Sequence, residues 1–248
     1  ALDTCILSLL VAVESELDDA TQAQLGTGAL LHDIGYARLP HNLVRRREVC
    51  TEQERLLLQQ HPALGAALLT KTAGIDEAVT RIVAEHHERV DGSGFPAGQR
   101  QDSISRLATI VGIVDWYDGM VSRRGGRAAM LPVDAVRRLF IAGQEGQLEK
   151  SLVEVVIRSI GVYPIGSLVL LNTGEHAIVA RVNPGQRLKP LVKIIRGPRS
   201  EMYPTPLLID LAAQTSDQDP RSVLRGLDPV KESINIAMYL DETPAEAA

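Results

Sequence analysis

"AVTRIVAEHHERV", residues 78–90, reads as an amphipathic helix whose apolar stripe ends in a histidine. Val79, Ile82, Val83 and His86 fall three and four residues apart and so share one face. His87 lies one helical step, about 100°, further round. An imidazole that continues a buried stripe loses its hydration unless it bonds something. Three other stretches repeat the pattern. In "LATIVGIVDWYDGMV" (107–121), Val111, Asp115 and Asp118 are spaced by four and three, so two carboxylates lie along one side of an apolar helix. Burying them without a cation costs several kcal/mol each, by rough estimate. "LLHDIGYARLP" (30–40) sets His32 and Asp33 at the end of an apolar run, and His61 stands between the two apolar clusters of "LLLQQHPALGAALL" (56–69).

Each of these features alone has a plain reading. A His-Asp pair can be a satisfied core or capping pair, His86-His87 an ordinary helix surface, and Asp118 a solvated residue. Jointly they say more, because four of the six histidines fall in apolar helical settings. His41 and His176 do not, and they read as loop or strand surface. Helices that meet around a core can converge such donors on metals. A mixed His/carboxylate set suits Fe or Mn, with Ni, Zn or Co as alternatives, rather than Ca or Mg. This many donors predicts two divalent cations, roughly 3.5–4 Å apart, with Asp33 as the natural bridging carboxylate.

The bulk properties fit a helical core of ordinary size. The 248 residues predict one large domain and a smaller one; 45% are hydrophobic, yet only 3% aromatic, so packing rests on Leu, Val, Ile and Ala. A net charge of −5 argues against a nucleic-acid polymer or an anionic membrane as partner. Cys5 and Cys50 show no CxxC spacing, which fits reduced thiols in a cytoplasmic chain. "CILSLLVAV" (5–13) is too short to span a bilayer and reads as a core helix.

The predicted fold is mainly α, with helices over residues 1–160, a small antiparallel β unit over 161–212 and a polar extension over 213–248. Asp18-Asp19 breaks the first two helical runs, Thr51 and Glu54 form a capping-box pattern, and Asp76 is a predicted N-cap. After Gly161, β-branched runs alternate with Asn-Thr-Gly and Asn-Pro-Gly turns. "SINIAMYL" (233–240) is the last apolar run, a strand or an anchoring segment.

"HDIG" (32–35), "HP..G" (61–65), "HHERVDGSGFP" (86–96) and "VDWYDGMVSRRGGR" (114–127), in that order, resemble the HD-GYP family of cyclic di-GMP phosphodiesterases. The likeness covers about residues 2 to 200 and includes the β unit that follows the helical domain in some members. It implies a helical HD-type bundle that hydrolyses cyclic di-GMP to pGpG or GMP, with His32, Asp33, His61, His86, His87 and Asp115 as metal ligands and Asp33 central to catalysis. Asp118 corresponds to a residue that helps a third metal where one is present. Asp91, Gly92, Gly94, Phe95 and Pro96 match the signature loop, with Phe95 in place of its tyrosine. Arg124 and Arg127 keep phosphate-binding positions, while Tyr36 replaces the family's phosphate-contacting lysine. The Glu or His that many members place before HDIG would fall at or before residue 1, and no histidine precedes His32; either the chain is a fragment cut just after that ligand or the site lacks it, and a third metal is not expected. An N-terminal sensory or regulatory domain and a homodimer are further implied partners. Tyr36 and Gly126 also motivate a rival reading: a nucleotide-binding sensor or interaction module without turnover.

Overall fold

A computed structural model of the chain describes residues 1–44, 50–122, 129–214 and 220–240. It divides into two compact units, Ala1–Met130 with Ala135–Ser159, and Leu131–Asp134 with Ile160–Ala248.

The first unit is helical: α1 (Leu2–Glu14), α2 (Asp19–Leu31), α3 (His41–Val44), α4 (Glu52–Leu58), α5 (His61–Leu69), α6 (Glu77–Glu85), α7 (Arg106–Val121), α8 (Pro132–Gln144) and α9 (Lys150–Ile160), the last two reaching its borders. The predicted caps start these helices. Asp18 accepts from the Thr21 amide at 2.9 Å, Thr51 and Glu54 form the reciprocal capping box, and Asp76 accepts from the Ala78 amide at 2.8 Å. Helix α6 packs on α2, α5 and α7, burying Val79, Ile82 and Val83. Helix α7 is apolar nearly all round, with Ile110 through Asp115 buried, as expected for the most enclosed helix.

Helix α1 departs from the core-helix expectation. It packs on α2 and α7 through Thr4, Ser8, Val11 and Ala12, while Leu2, Ile6, Leu10 and Val13 are exposed. Apolar length alone does not say which face turns inward; here the small residues do, because they allow close helix approach. No helix among the described residues is long and apolar enough to cross a membrane.

The second unit is an antiparallel sheet in the order β4-β3-β2-β1-β5, from β1 (Leu168–Leu171), β2 (His176–Arg181), β3 (Leu191–Arg196), β4 (Met202–Asp210) and β5 (Val223–Gly226). Gly174, at φ +83°, makes the β1–β2 turn that Asn-Thr-Gly predicts. The expected extension after residue 212 needs correcting: β5 lies within it and pairs with β1, giving the β1 edge a partner. Of the two readings of "SINIAMYL", the strand is not formed and the anchoring segment fits. Its last four residues form helix α10 (Ala237–Leu240), and Ile234 packs with Leu168, Ile178, Ile195 and Leu227. His176 is also less exposed than expected. It lies in β2, half-buried, with Nε2 3.4 Å from Glu232.

Candidate metal centre

Three of the predicted ligand histidines stand where a helix has just ended or a new one begins. His32 follows α2, His61 opens α5 just after α4, and His86 follows α6. In each, Nδ1 meets the carbonyl three residues back: Ala29 at 2.6 Å, Leu58 at 2.8 Å and Val83 at 3.0 Å. The last carbonyls of a helix lack intrahelical partners, so an imidazole there satisfies one of them. A carbonyl only accepts, so Nδ1 carries the proton and, in the neutral ring, Nε2 presents a lone pair.

Those Nε2 atoms converge. His61 Nε2 lies 3.3 Å from His86 Nε2 and 3.5 Å from Asp33 Oδ1. His32 Nε2 lies 3.2 Å from Asp33 Oδ2 and 3.4 Å from Asp115 Oδ1, yet makes no hydrogen bond of proper geometry. Among the described residues, two groups have donor atoms close enough to share an ion, His61-His86-His87 and His32-Asp33-His86, with His86 common to both. Two imidazole lone pairs facing each other at 3.3 Å repel unless a cation lies between them. That spacing is close to the ~3.3 Å between two ligands each ~2.05 Å from a tetrahedral ion. The donor set fits a divalent transition metal.

Charge in the cluster supports the same fit. Burial pushes His61 down, His86 well down and His87 to about 3, so these rings are neutral and able to ligate. Burial also opposes charge on His32, but the Asp115 and Asp33 carboxylates more than offset it and raise its pKa to about 10. Burial works against ionisation of Asp33 and Asp115 too, and His32 holds both below the usual carboxylate range. The two carboxylates hold a proton on His32, the place that a divalent cation ligated by its Nε2 would take.

Two glycines bring the ligand segments together. A Cβ on Gly35 would sit 1.9 Å from the His61 carbonyl oxygen, and one on Gly112 would sit 2.1 Å from that of His86. Only glycine lets the HDIG turn reach α5, and α7 reach the His-His segment.

Tyr36 stacks on His61, centroids 4.1 Å apart, and Phe95 lies 4.5 Å from His87, so the two rings wall the cluster. The signature loop is tied down by residues to which sequence reading assigned no role. The buried Glu88 carboxylate accepts from the amides of Ala97 (2.7 Å) and Gln99 (2.9 Å), and Phe95 N donates to His87 O. Glu85, also buried, takes Arg81 and the Ser105 amide at the start of α7. Their signal in the sequence was faint: two glutamates, at 85 and 88, bracketing the histidine pair. Gly92 turns the loop at φ +80°, and Gly94 passes too close to the Arg89 amide for any Cβ. Asp91 binds Ser93, outside the cluster.

Asp118, expected beside Asp115, lies one turn along α7, buried, and accepts from Ser122 Oγ at 2.9 Å; neither ligand group includes it. Arg124 and Arg127 lie outside the described residues.

Residues 5–144 match the HD domain profile, more than half of the chain. The chain belongs to the HD domain family. Residues 168–216 match the KOW domain associated with HD domain, which places a KOW module on the β unit. Among curated proteins, the cyclic di-GMP phosphodiesterase PA4108 of Pseudomonas aeruginosa is 32% identical over 213 residues, covering 85% of this chain and 51% of that protein. The 3'3'-cGAMP-specific phosphodiesterase 3 of Vibrio cholerae is 33% identical over 125 residues, covering 50% of this chain and 27% of its own length. The chain therefore spans about half the length of such relatives, or less. Among solved structures, Bd1817, an HDG"Y"P protein of Bdellovibrio bacteriovorus, aligns with a TM-score of 0.52 at 25% identity, over 62% of this chain and 49% of that one. An HD fold related to several cyclic dinucleotide phosphodiesterases, with His/Asp clusters able to hold a divalent metal, is the common result.

Proposed function

We propose that this HD domain is a metal-dependent phosphodiesterase that hydrolyses cyclic di-GMP to pGpG, GMP or both in bacterial second-messenger signalling. The observation that carries the reading is the meeting of imidazole lone pairs and paired carboxylates from α2, α5, α6 and α7 at one buried point. His32, Asp33, His61, His86, His87 and Asp115 would hold two divalent cations, Fe or Mn by the softness of the donors. When bound, such cations lower the pKa of a coordinated water and neutralise charge on a phosphoryl group.

The chain's own residues do the rest. Asp33 faces both His32 and His61, which suits it to bridge and to orient the attacking water. The Nδ1–carbonyl bonds hold each ring in one tautomer and one orientation. Tyr36 and Phe95 restrict access beside His61 and His87, and the Tyr36 hydroxyl is suited to a phosphate oxygen. Arg124 and Arg127 remain candidates for the same anion. The sensor reading draws on Tyr36, which supplies no positive charge where the family's lysine does.

One experiment separates the two. The protein is reconstituted with Mn or Fe, its metal content is measured, and product release is followed from cyclic di-GMP and, in parallel, 3'3'-cGAMP. Linear product from cyclic di-GMP is expected. Binding of cyclic di-GMP without turnover at full metal occupancy would establish the sensor, and preferential cleavage of 3'3'-cGAMP would reassign the substrate.

A further inference from the structure

Arg89 stands between the histidine pair and the helix that carries Asp115, and the fold makes little use of its charge. Its guanidinium lies 5.4 Å from the Trp116 ring centroid, and a Cβ on Gly112 would come within 3.5 Å of its Nη1. The group therefore lies along α7 between Gly112 and Trp116, one residue from Asp115. Of its five N–H donors, one is engaged, Nη1 to the Glu88 carbonyl at 3.3 Å. None of its nitrogens is among the sealed polar atoms that lack a partner, so the other N–H groups are not fully sealed from solvent. Nearby acids are engaged elsewhere: Glu88 with Ala97 and Gln99, Asp91 with Ser93, and Asp115 with His32. Among the described residues no carboxylate forms an ion pair with Arg89.

We propose that Arg89 is a phosphate-binding cation of this centre, supplying a fixed positive charge that Tyr36 does not. The assignment deepens the phosphodiesterase reading and rests on it for the identity of the substrate. Its chemistry is general to phosphodiester and phosphate oxyanions: a planar fork of N–H donors matches two phosphate oxygens, whereas a surface lysine offers a mobile point charge. The Trp116 ring and the α7 backbone at Gly112 flank the guanidinium, which limits the motion lost when an anion binds.

The test uses the metal-loaded full chain and inorganic phosphate, with calorimetry as the main readout. Trp116, the chain's single tryptophan, reports binding at Arg89 through its emission. Arg89→Gln is expected to weaken phosphate binding about tenfold or more, as loss of a charge-assisted bond does, with metal content unchanged. Arg89→Lys, which keeps the charge but not the fork, recovers part of the affinity and carries the comparison if the Gln variant folds poorly. For cyclic di-GMP, KM rises more than kcat falls. Phosphate affinity within twofold of wild type in Arg89→Gln would overturn the proposal. So would loss of metal along with phosphate in both variants, which would make Arg89 a structural support. A wild type that binds phosphate through Arg89 but leaves cyclic di-GMP intact sinks the phosphodiesterase reading alone.

Discussion

The two units bury polar groups for opposite ends. In the β unit, buried polarity is mostly closed on itself, Ser167 Oγ and His176 Nδ1 excepted. Glu175 takes a two-pronged bond from Arg221 at 2.7 and 3.1 Å, Lys193 donates to the Tyr239 carbonyl, and Asn183 donates to Asp210. In the helical unit, the cluster of His32, Asp33, His61, His86 and Asp115 leaves the Nε2 atoms of His61 and His86 facing each other and that of His32 facing two carboxylates without a proper hydrogen bond. Self-satisfied polarity positions a chain. Polarity held open by the surrounding backbone positions something that is not the chain.

The strongest way to break this contrast is Asp33→Ala. If the cluster exists for a cation, bound metal falls to trace and cyclic di-GMP hydrolysis to background, while circular dichroism keeps the helical signal. Unfolding of the variant, or survival of its metal content, would show that the carboxylate serves the fold. Next in size is Gly35→Ala. Its Cβ would meet the His61 backbone, which cannot rotate away, so a loss of about 3 kcal/mol or more in urea unfolding is expected, with weaker metal binding. A loss below ~1 kcal/mol would mean that the HDIG turn and α5 can separate freely.

The smallest effect belongs to the closed side. Glu175→Gln should cost about 1–3 kcal/mol, measured by urea unfolding, without changing metal content. Its pH profile sharpens the point. Burial raises the Glu175 carboxyl, but Arg221 and Thr173 hold it net below its ordinary value. A carboxyl whose folded pKa is depressed stabilises the fold above its unfolded pKa of about 4.3 and loses that contribution as pH falls through the folded value. The wild type should show this acid limb and the Gln variant should lack it; identical profiles would dissociate Glu175 from the acid sensitivity of the sheet.

Much of the helical unit was legible because its signals are local. Asp18, Thr51 and Asp76 cap within one turn, and Val79, Ile82, Val83 and His86 declare a face by spacing alone. Less legible was the orientation of α1, whose longer apolar residues face outward, since periodicity names two faces without ranking them. The strand at 223–226 escaped notice because four residues in a polar stretch carry almost no pattern; pairing with β1 makes them a strand. Glu88 and Arg89 were read as part of a motif, with nothing local to show that one would fasten a loop nine residues on and the other keep its donors open.

By itself the sequence determined which groups are available: four histidines and paired carboxylates on apolar helices, in an order specific to one family. Only the tertiary structure decided where their lone pairs point. That depends on helix ends, whose unpaired carbonyls lock each imidazole, and on Gly35 and Gly112, which permit backbone contacts a Cβ would forbid. Spacing along a chain encodes a face, but the meeting of separate faces is set by packing between segments far apart in sequence.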